Sequence, residues 1–342
     1  MSYYQKFEKN YWERKVFNEK SDFDLRLIKE NQQDLSHEES KNLFKKYVEL
    51  VCLELSYYCN RTCNYCPIYT MERSDKNLEI SEEVLESIVK SLSEIEYDGR
   101  ISLNLFNEPL ASKNILKNIK YINQRVPKAL ISMNSNGDYI KDISYIKKLE
   151  EAGLKEILIT MHVPKNRKWN REYAEKQLKR FSAKIGYDLN QKNLKDLNFS
   201  FLEGKLFCEV FCTDWTSPEI ANSRGGLLES FNTKTRILPC EKPIREFVIS
   251  YDGSIQLCCH VFHNKEYDKK LSLIEPKKNI DIFKIYSGNI LTKSRRSLFD
   301  YSEKKGLCAS CNHYEDNIKE SAEKFFNLKD KNARSLLLNK TK

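Results

Sequence analysis

Three cysteines fall within the stretch YYCNRTCNYCP, residues 57–67, at positions 59, 63 and 66, and Pro67 follows the last of them at once. Thiolates spaced CxxxCxxC can hold three irons of a 4Fe–4S cube and leave the fourth iron without a protein ligand. An open iron is what a site needs when a substrate or cofactor must coordinate there. Zinc is the competing occupant, but structural zinc is four-coordinate and closed. No fourth ligand lies beside Cys59, Cys63 and Cys66, although Cys52 could supply one from a distance.

The chain has eleven cysteines, an odd number, which in a reducing compartment reads as metal ligands or redox groups rather than a disulfide framework. A second set lies in the C-terminal third. Cys240 precedes a hairpin pattern, Cys258 ends it, and Cys308 and Cys311 share the loop LCASCN. Four thiolates from one small module make a closed site, which either an iron–sulfur cluster or zinc could fill.

Positioning these thiols requires a sizeable scaffold. With 342 residues, 40% of them hydrophobic, the chain can build one large α/β domain with an appendage, and its 31% charged residues are spread throughout. No run of eighteen apolar residues is present, so no membrane span is expected. The opening MSYYQKFEKNYWERK is charged and aromatic, without a signal-like apolar core, which reads as cytoplasmic. The formal charge of +9 is diffuse, with 58 basic residues among 49 acids, and reads as solvated surface rather than a nucleic-acid footprint. Strand and helix patterns then alternate. LVCLELSYY, RISLNLF, ALISMNS and KEILITMHV read as strands, and SEEVLESIVKSLSEI, with its serine cap, opens the helices between them. Repeated β-α units of this length imply a parallel sheet, open or curled into a partial barrel. After residue 215 the pattern changes, and REFVISYDGSIQLCC shows two short strands around a DG turn.

The first cysteine run, with Tyr65 before its last thiol and a strand before its first, resembles the radical S-adenosylmethionine (SAM) superfamily. That resemblance implies an α/β fold with a partial (β/α)6 barrel, whose open iron chelates the amino and carboxylate groups of SAM. An electron from the cluster would cleave SAM, giving a 5′-deoxyadenosyl radical that abstracts hydrogen from an unactivated C–H bond. LFNEPL stands where the family usually carries GGEP. Glu108 keeps the acidic position that binds the SAM amino group, while Phe106 and Asn107 replace the glycines. SMNSNGDYI and LITMHV resemble the next two strand ends, which implies Asn134, Ser135, Asn136 and Thr160 near SAM, with Tyr65 and Asn107. Arg171 stands about one loop later, where members often place a carboxylate-binding arginine, and His162 takes the acidic position of its segment.

The C-terminal cysteines, with PCEKPIREFVISYDGSIQLCC and CASC, resemble the SPASM extension of that superfamily. No cysteine follows Cys311, so the resemblance implies the shortened Twitch form, a small β-hairpin and helix module carrying one auxiliary 4Fe–4S cluster on Cys240, Cys258, Cys308 and Cys311. With both clusters bound the net charge would be about +6. The implied organisation is an N-terminal helical extension over 1–48, a barrel over 49–214, an auxiliary module over 215–315 and a C-terminal helix or tail over 316–342.

The implied reaction is oxidation or epimerisation of a small polyol, sugar or cyclitol, fed with electrons by a partner such as flavodoxin or ferredoxin. The leftover thiols bear on which. Cys52 reads as core. Cys208 and Cys212 share one strand face and could point into the barrel or into the core, and Cys259 should face away from Cys258 by strand alternation. A free thiol among Cys208, Cys212 and Cys259 near the substrate could return a hydrogen atom, the route to an epimer. Arg224, in the loop ANSRGG, could reach substrate hydroxyl or phosphate groups or anchor the two modules, and His260 and His263 lie beside the second cysteine set. Two other readings stay open, a radical enzyme that matures ribosomal peptides and a zinc-stabilised binding protein.

Overall fold

The computed structural model describes residues 24–29, 35–69, 73–165, 167–217, 220–228, 231, 235–237, 239–261, 280–299 and 302–312. His263 and the C-terminal helix or tail expected over 316–342 lie outside them. Helix α1 (His37–Tyr47) opens with a capping box, in which Ser36 Oγ accepts from Glu39 N and the Glu39 carboxylate accepts from Ser36 N. The β-α series then runs β1 (Leu50–Leu53), α2 (Glu82–Glu94), β2 (Arg100–Ser102), α3 (Ile115–Arg125), β3 (Leu130–Ser135), α4 (Ile143–Ala152) and β4 (Glu156–Thr160). Helices α5 (Arg171–Ile185) and α6 (Gln191–Asp196) lead into the hairpin β5 (Asn198–Glu203) and β6 (Leu206–Phe211). A short helix α7 (Lys242–Arg245) precedes β7 (Glu246–Ile249) and β8 (Ile255–Gln256), and α8 (Ile282–Ser287) and α9 (Asn289–Leu298) follow.

These strands form one sheet in the order β5-β6-β4-β3-β2-β1-β7-β8. The pairings from β7 through β1, β2, β3 and β4 to β6 are parallel, whereas β5 and β8 pair antiparallel at the two edges. Six parallel strands match the partial barrel implied by the sequence, with one difference in who supplies them. The hairpin strand β7, read from sequence as part of the C-terminal module, pairs along β1, with Leu50 opposite Glu246 and Leu53 opposite Ile249. A parallel partner nearly two hundred residues away leaves no local trace.

Helix and strand chemistry explains the layers. In α2, Val84, Leu85, Ile88, Val89 and Leu92 are all buried, one stripe at helical spacing. Fully burying each Leu or Ile contributes about 1.5–3 kcal/mol. Strands β2 and β4 are buried along their whole length, as parallel strands covered on both faces must be. Arg100 Nε donates to Ser132 Oγ at 2.7 Å and its Nη2 pairs with Glu156, so one buried guanidinium ties β2 to β3 and β4. Helix α4 ends on Gly153 at φ 104°, where a Cβ would stand 2.3 Å from the Asn123 side chain. The N-terminal helix is tied in through Phe44, whose ring meets Phe247, Phe283 and Tyr286 edge-on at 5.3–5.5 Å. Among the described residues no helix is long and apolar enough to cross a membrane.

Candidate active site

At the carboxyl end of β1 the chain leaves the sheet at Glu54, carries the three cysteines, and returns near Arg73. Arg73 Nη1 meets Glu54 Oε1 at 2.7 Å, and both side chains are buried. The same Glu54 oxygen accepts from Phe106 N at 3.0 Å, which fixes the loop after β2 against the cysteine loop. Within the loop Cys66 N donates to Cys63 O, and Pro67 opens a short 3₁₀ turn over Pro67–Tyr69. A proline serves there because a first-turn N–H has no partner to lose.

The three thiols line one side of a cavity of about 540 Å³ above the strand ends. Burial pushes Cys59 up to about 12. It also raises Cys63 and Cys66, against the pull of the Tyr65 hydroxyl on the first and of Arg224 on the second. Thiols in such surroundings become thiolates only when a cation holds them so, as a metal centre does.

The next strand ends supply the rest of this wall. Glu108 is buried, and its carboxylate accepts from Ser135 Oγ at 2.8 Å, Asn136 N at 2.7 Å and Leu110 N at 3.1 Å. Asn107 bridges Leu105 N and Ser56 Oγ, and Asn134 N donates to Asn104 Oδ1 at 2.7 Å. Asn107, Glu108, Asn134, Ser135, Asn136 and Thr160 all face the cavity. Tyr65 does so as well, its hydroxyl 2.6 Å from His162 Nδ1. Burial, helped by the nearby Arg61, pulls His162 down to about 3 and keeps that imidazole neutral.

Burial also raises Glu108 from its ordinary 4.5 to about 7, against the opposing donors Asn136, Ser135 and Leu110. The fold thus favours the protonated acid. Its stabilisation is complete below pH 4.5 and is lost as pH rises through about 7. The thermal midpoint of the cofactor-free protein should therefore fall across that window, and Glu108→Gln should flatten the fall. An unchanged slope in the variant would assign the titration to another group.

Several expected residues stand elsewhere. Arg171 is on the surface, its guanidinium bonded to Glu175 and to the carbonyls of Leu194 and Lys195 at the end of α6. Cys208 and Cys212 belong to the hydrophobic core, and Cys212 Sγ donates to Met161 O at 3.0 Å. Cys259 turns towards α7 and β7, where Lys242 Nζ lies 3.5 Å from its Sγ and Glu246 accepts from its N–H. None of these four lines the cavity. Arg224 does, from the second module.

Cys240, Cys258, Cys308 and Cys311 line a second, smaller cavity, with the buried Arg236 and Lys242 beside them. Burial pushes Cys240 up to about 12 and Cys308 up to about 11, so these thiols stay protonated unless a bound metal centre holds them as thiolates. Arg236 Nη1 donates to Cys311 O at 3.4 Å, and His260 borders both cavities. A cube takes one thiolate per iron and spreads its ligands, whereas zinc draws four donors onto one ion. Among the described residues no three Cys, His, Asp or Glu side chains converge on a single-ion site. Three thiols around one cavity and four around another supply the donors that a metal centre at each would need.

Sequence reasoning missed Arg61, Asn104, Trp215, Asn222 and Asn312, which also line the main cavity. Arg61 spans 77 residues to pair with Asp138 at 2.6 Å and donates to His162 O, a contact without local signature. Asn104 was legible as a polar residue at a strand end.

Residues 53–196 match the model of the Radical SAM superfamily. The chain is similar to the S-adenosyl-L-methionine-dependent 2-deoxy-scyllo-inosamine dehydrogenase of Niallia circulans, with 23% identity over 270 residues, covering 78% of this chain and 94% of that protein. Among solved structures it resembles BtrN in complex with AdoMet and 2-DOIA, with a TM-score of 0.56, 21% identity, and 79% and 94% of the two chains covered. BtrN in an open conformation gives a TM-score of 0.51 at 19% identity, covering 81% and 98%.

Proposed function

We propose that the chain, whose residues 53–196 match the Radical SAM superfamily model, is an oxidoreductase that removes hydrogen from a carbinol carbon of a small polyol or cyclitol. The observation that carries this reading is the shared cavity, into which the cysteine loop, the ends of β2 to β4 and the second module all face. When bound, a 4Fe–4S cluster with SAM supplies a 5′-deoxyadenosyl radical able to take hydrogen from an unactivated C–H bond.

Cys59, Cys63 and Cys66 would hold that cluster. The buried Glu108 carboxylate, fixed by Ser135 and Asn136, would receive the SAM amino group, and Asn134, Thr160 and Tyr65 would flank the nucleoside. Cys240, Cys258, Cys308 and Cys311 would hold a second cluster, a one-electron acceptor for the oxidation, while a base takes the hydroxyl proton. A flavodoxin or ferredoxin would suit as reducing partner. Oxidation is favoured over epimerisation because, among the described residues, the cysteines lining the cavity are Cys59, Cys63 and Cys66 alone. Each of these has a cluster to hold, and Cys208, Cys212 and Cys259 are turned away, so no thiol is left to return hydrogen.

The test is deuterium transfer. Anaerobically reconstituted protein given SAM, reductant and a carbinol-deuterated cyclitol should yield deuterated 5′-deoxyadenosine and a ketone. Deuterium from solvent at the product carbon would instead support epimerisation. SAM cleavage with no deuterium transfer from any polyol would refute the substrate class.

A further inference from the structure

We propose that Arg224 reads an acidic group on the substrate, a carboxylate or a phosphate, so that the chain selects an acidic polyol over an aminated cyclitol. This rests on the reading of the chain as a polyol oxidoreductase and narrows it to a substrate class.

The wall that the second module turns towards the cavity includes Trp215, Asn222, Arg224, His260 and Asn312, and among its described residues there is no aspartate or glutamate. Its polar groups are donors. Trp215 Nε1 is buried with no hydrogen-bond partner among the described residues, and an indole can only donate. Asn222 uses its carbonyl on Arg224 N at 2.8 Å, which leaves its NH₂ to offer. Asn312 has already used its carbonyl on Ser223 N and its NH₂ on Ala221 O. Arg224 Nη1 lies 3.2 Å from His260 Nδ1. A guanidinium cannot accept, so Nδ1 does, and Arg224 is steadied by that contact.

Charge points the same way. The other arginine of the cavity, Arg61, is held by the Asp138 carboxylate. Arg224 faces no carboxylate among the described residues, and its Nε is buried without a partner. A desolvated guanidinium donor left unpaired is unfavourable, and a planar oxyanion satisfies it with charge-assisted, bidentate hydrogen bonds. An ammonium group on this wall would meet like charge and find no carboxylate.

The backbone is arranged to hold Arg224 there. It is a non-glycine residue at φ 52°, followed by Gly225 and Gly226 at 68° and 88°. Ser223 Oγ donates to Ser310 O at 2.9 Å, and a Cβ on Gly226 would stand 2.6 Å from Ser310 Oγ. The turn is thus seated closely against the loop that carries Cys308 and Cys311. A left-handed conformation in a residue with a side chain persists where its surroundings fix it, and such residues gather at functional sites.

The experiment compares four probes on the reconstituted holoenzyme: myo-inositol 1-phosphate, glucuronate, myo-inositol and 2-deoxy-scyllo-inosamine. Half-saturating concentrations are read from 5′-deoxyadenosine formation with each carbinol-deuterated probe, and SAM affinity is read separately by equilibrium binding. At least one acidic probe should saturate at a concentration about tenfold or more below the neutral and aminated probes, the scale of one charge-assisted contact. The first two probes tell phosphate from carboxylate. Arg224→Gln should erase the preference, and Arg224→Lys should restore part of it. Ratios between probes within one preparation do not depend on how much of a variant is folded. Equal or better saturation by the aminated probe would overturn the proposal, as would an unchanged ratio in Arg224→Gln. A loss of SAM affinity in that variant with the probe ratio intact would assign Arg224 to the cofactor instead. Absence of deuterium transfer from all four probes would overturn the polyol reading itself, and the proposal with it.

Discussion

Cys59→Ala is expected to abolish SAM cleavage in anaerobically reconstituted protein. Cys59 comes first in the loop after β1, and its thiol lines the cavity beside the Glu108 shelf. Three thiolates are the fewest that hold a cube while leaving one iron for an outside ligand, so removing one releases that iron or the whole cluster. The loss should exceed the roughly 10–100-fold that follows removal of a mere outer partner of a metal ligand. The fold should survive, because the loop is anchored by Glu54, Arg73 and Phe106 rather than by the thiol. Circular dichroism of the variant would establish that, and 5′-deoxyadenosine formation in the presence of dithionite would measure the loss. Wild-type cleavage by this variant would remove the triad from the chemistry.

Cys308→Ala is expected to separate two activities. The second thiol set lies around its own cavity, and His260 borders both it and the main one. SAM cleavage, proposed to depend on the first set, should persist. Completion of the oxidation requires an acceptor for the electron left after hydrogen abstraction, and that step should slow by at least about tenfold, the effect of only ~1.4 kcal/mol on a barrier. The signature is 5′-deoxyadenosine formed without a matching amount of ketone. Because the measurement is a ratio of two products, partial loading of the variant does not obscure it. Stoichiometric ketone from Cys308→Ala would exclude the second site as the acceptor.

The parts of this site that could be read in the sequence are those whose information is local. The thiol spacing, the strand before it, the acid in LFNEPL and the polar strand end SMNSNG each lie within one short segment, and the thiols, the acid and that strand end line the cavity in the structure. Strand alternation likewise put Cys208 and Cys212 on one face, and the core packing decided which face that was. Arg171 fell away for a different reason. Its position just inside α5 is compatible with a cavity-facing or a surface-facing side chain, and the carbonyls at the end of α6 captured it. Arg61 with Asp138, and β7 alongside β1, are pairings across 77 and nearly two hundred residues. Such contacts depend on how the sheet closes up, which no window of sequence contains. Trp215 and Asn222 sit in irregular chain, where neither period two nor period 3.6 signals which way a side chain faces.

We propose that Cys59, Cys63 and Cys66 hold a cluster with one iron open to SAM. The low-temperature EPR spectrum of the reduced, anaerobically reconstituted protein with and without SAM reports on that iron. A reduced 4Fe–4S signal is expected whose g-values shift on adding SAM in the wild type, with no SAM-dependent shift in Cys59→Ala. A wild-type spectrum indifferent to SAM, or one whose SAM response survives in Cys59→Ala, would contradict it.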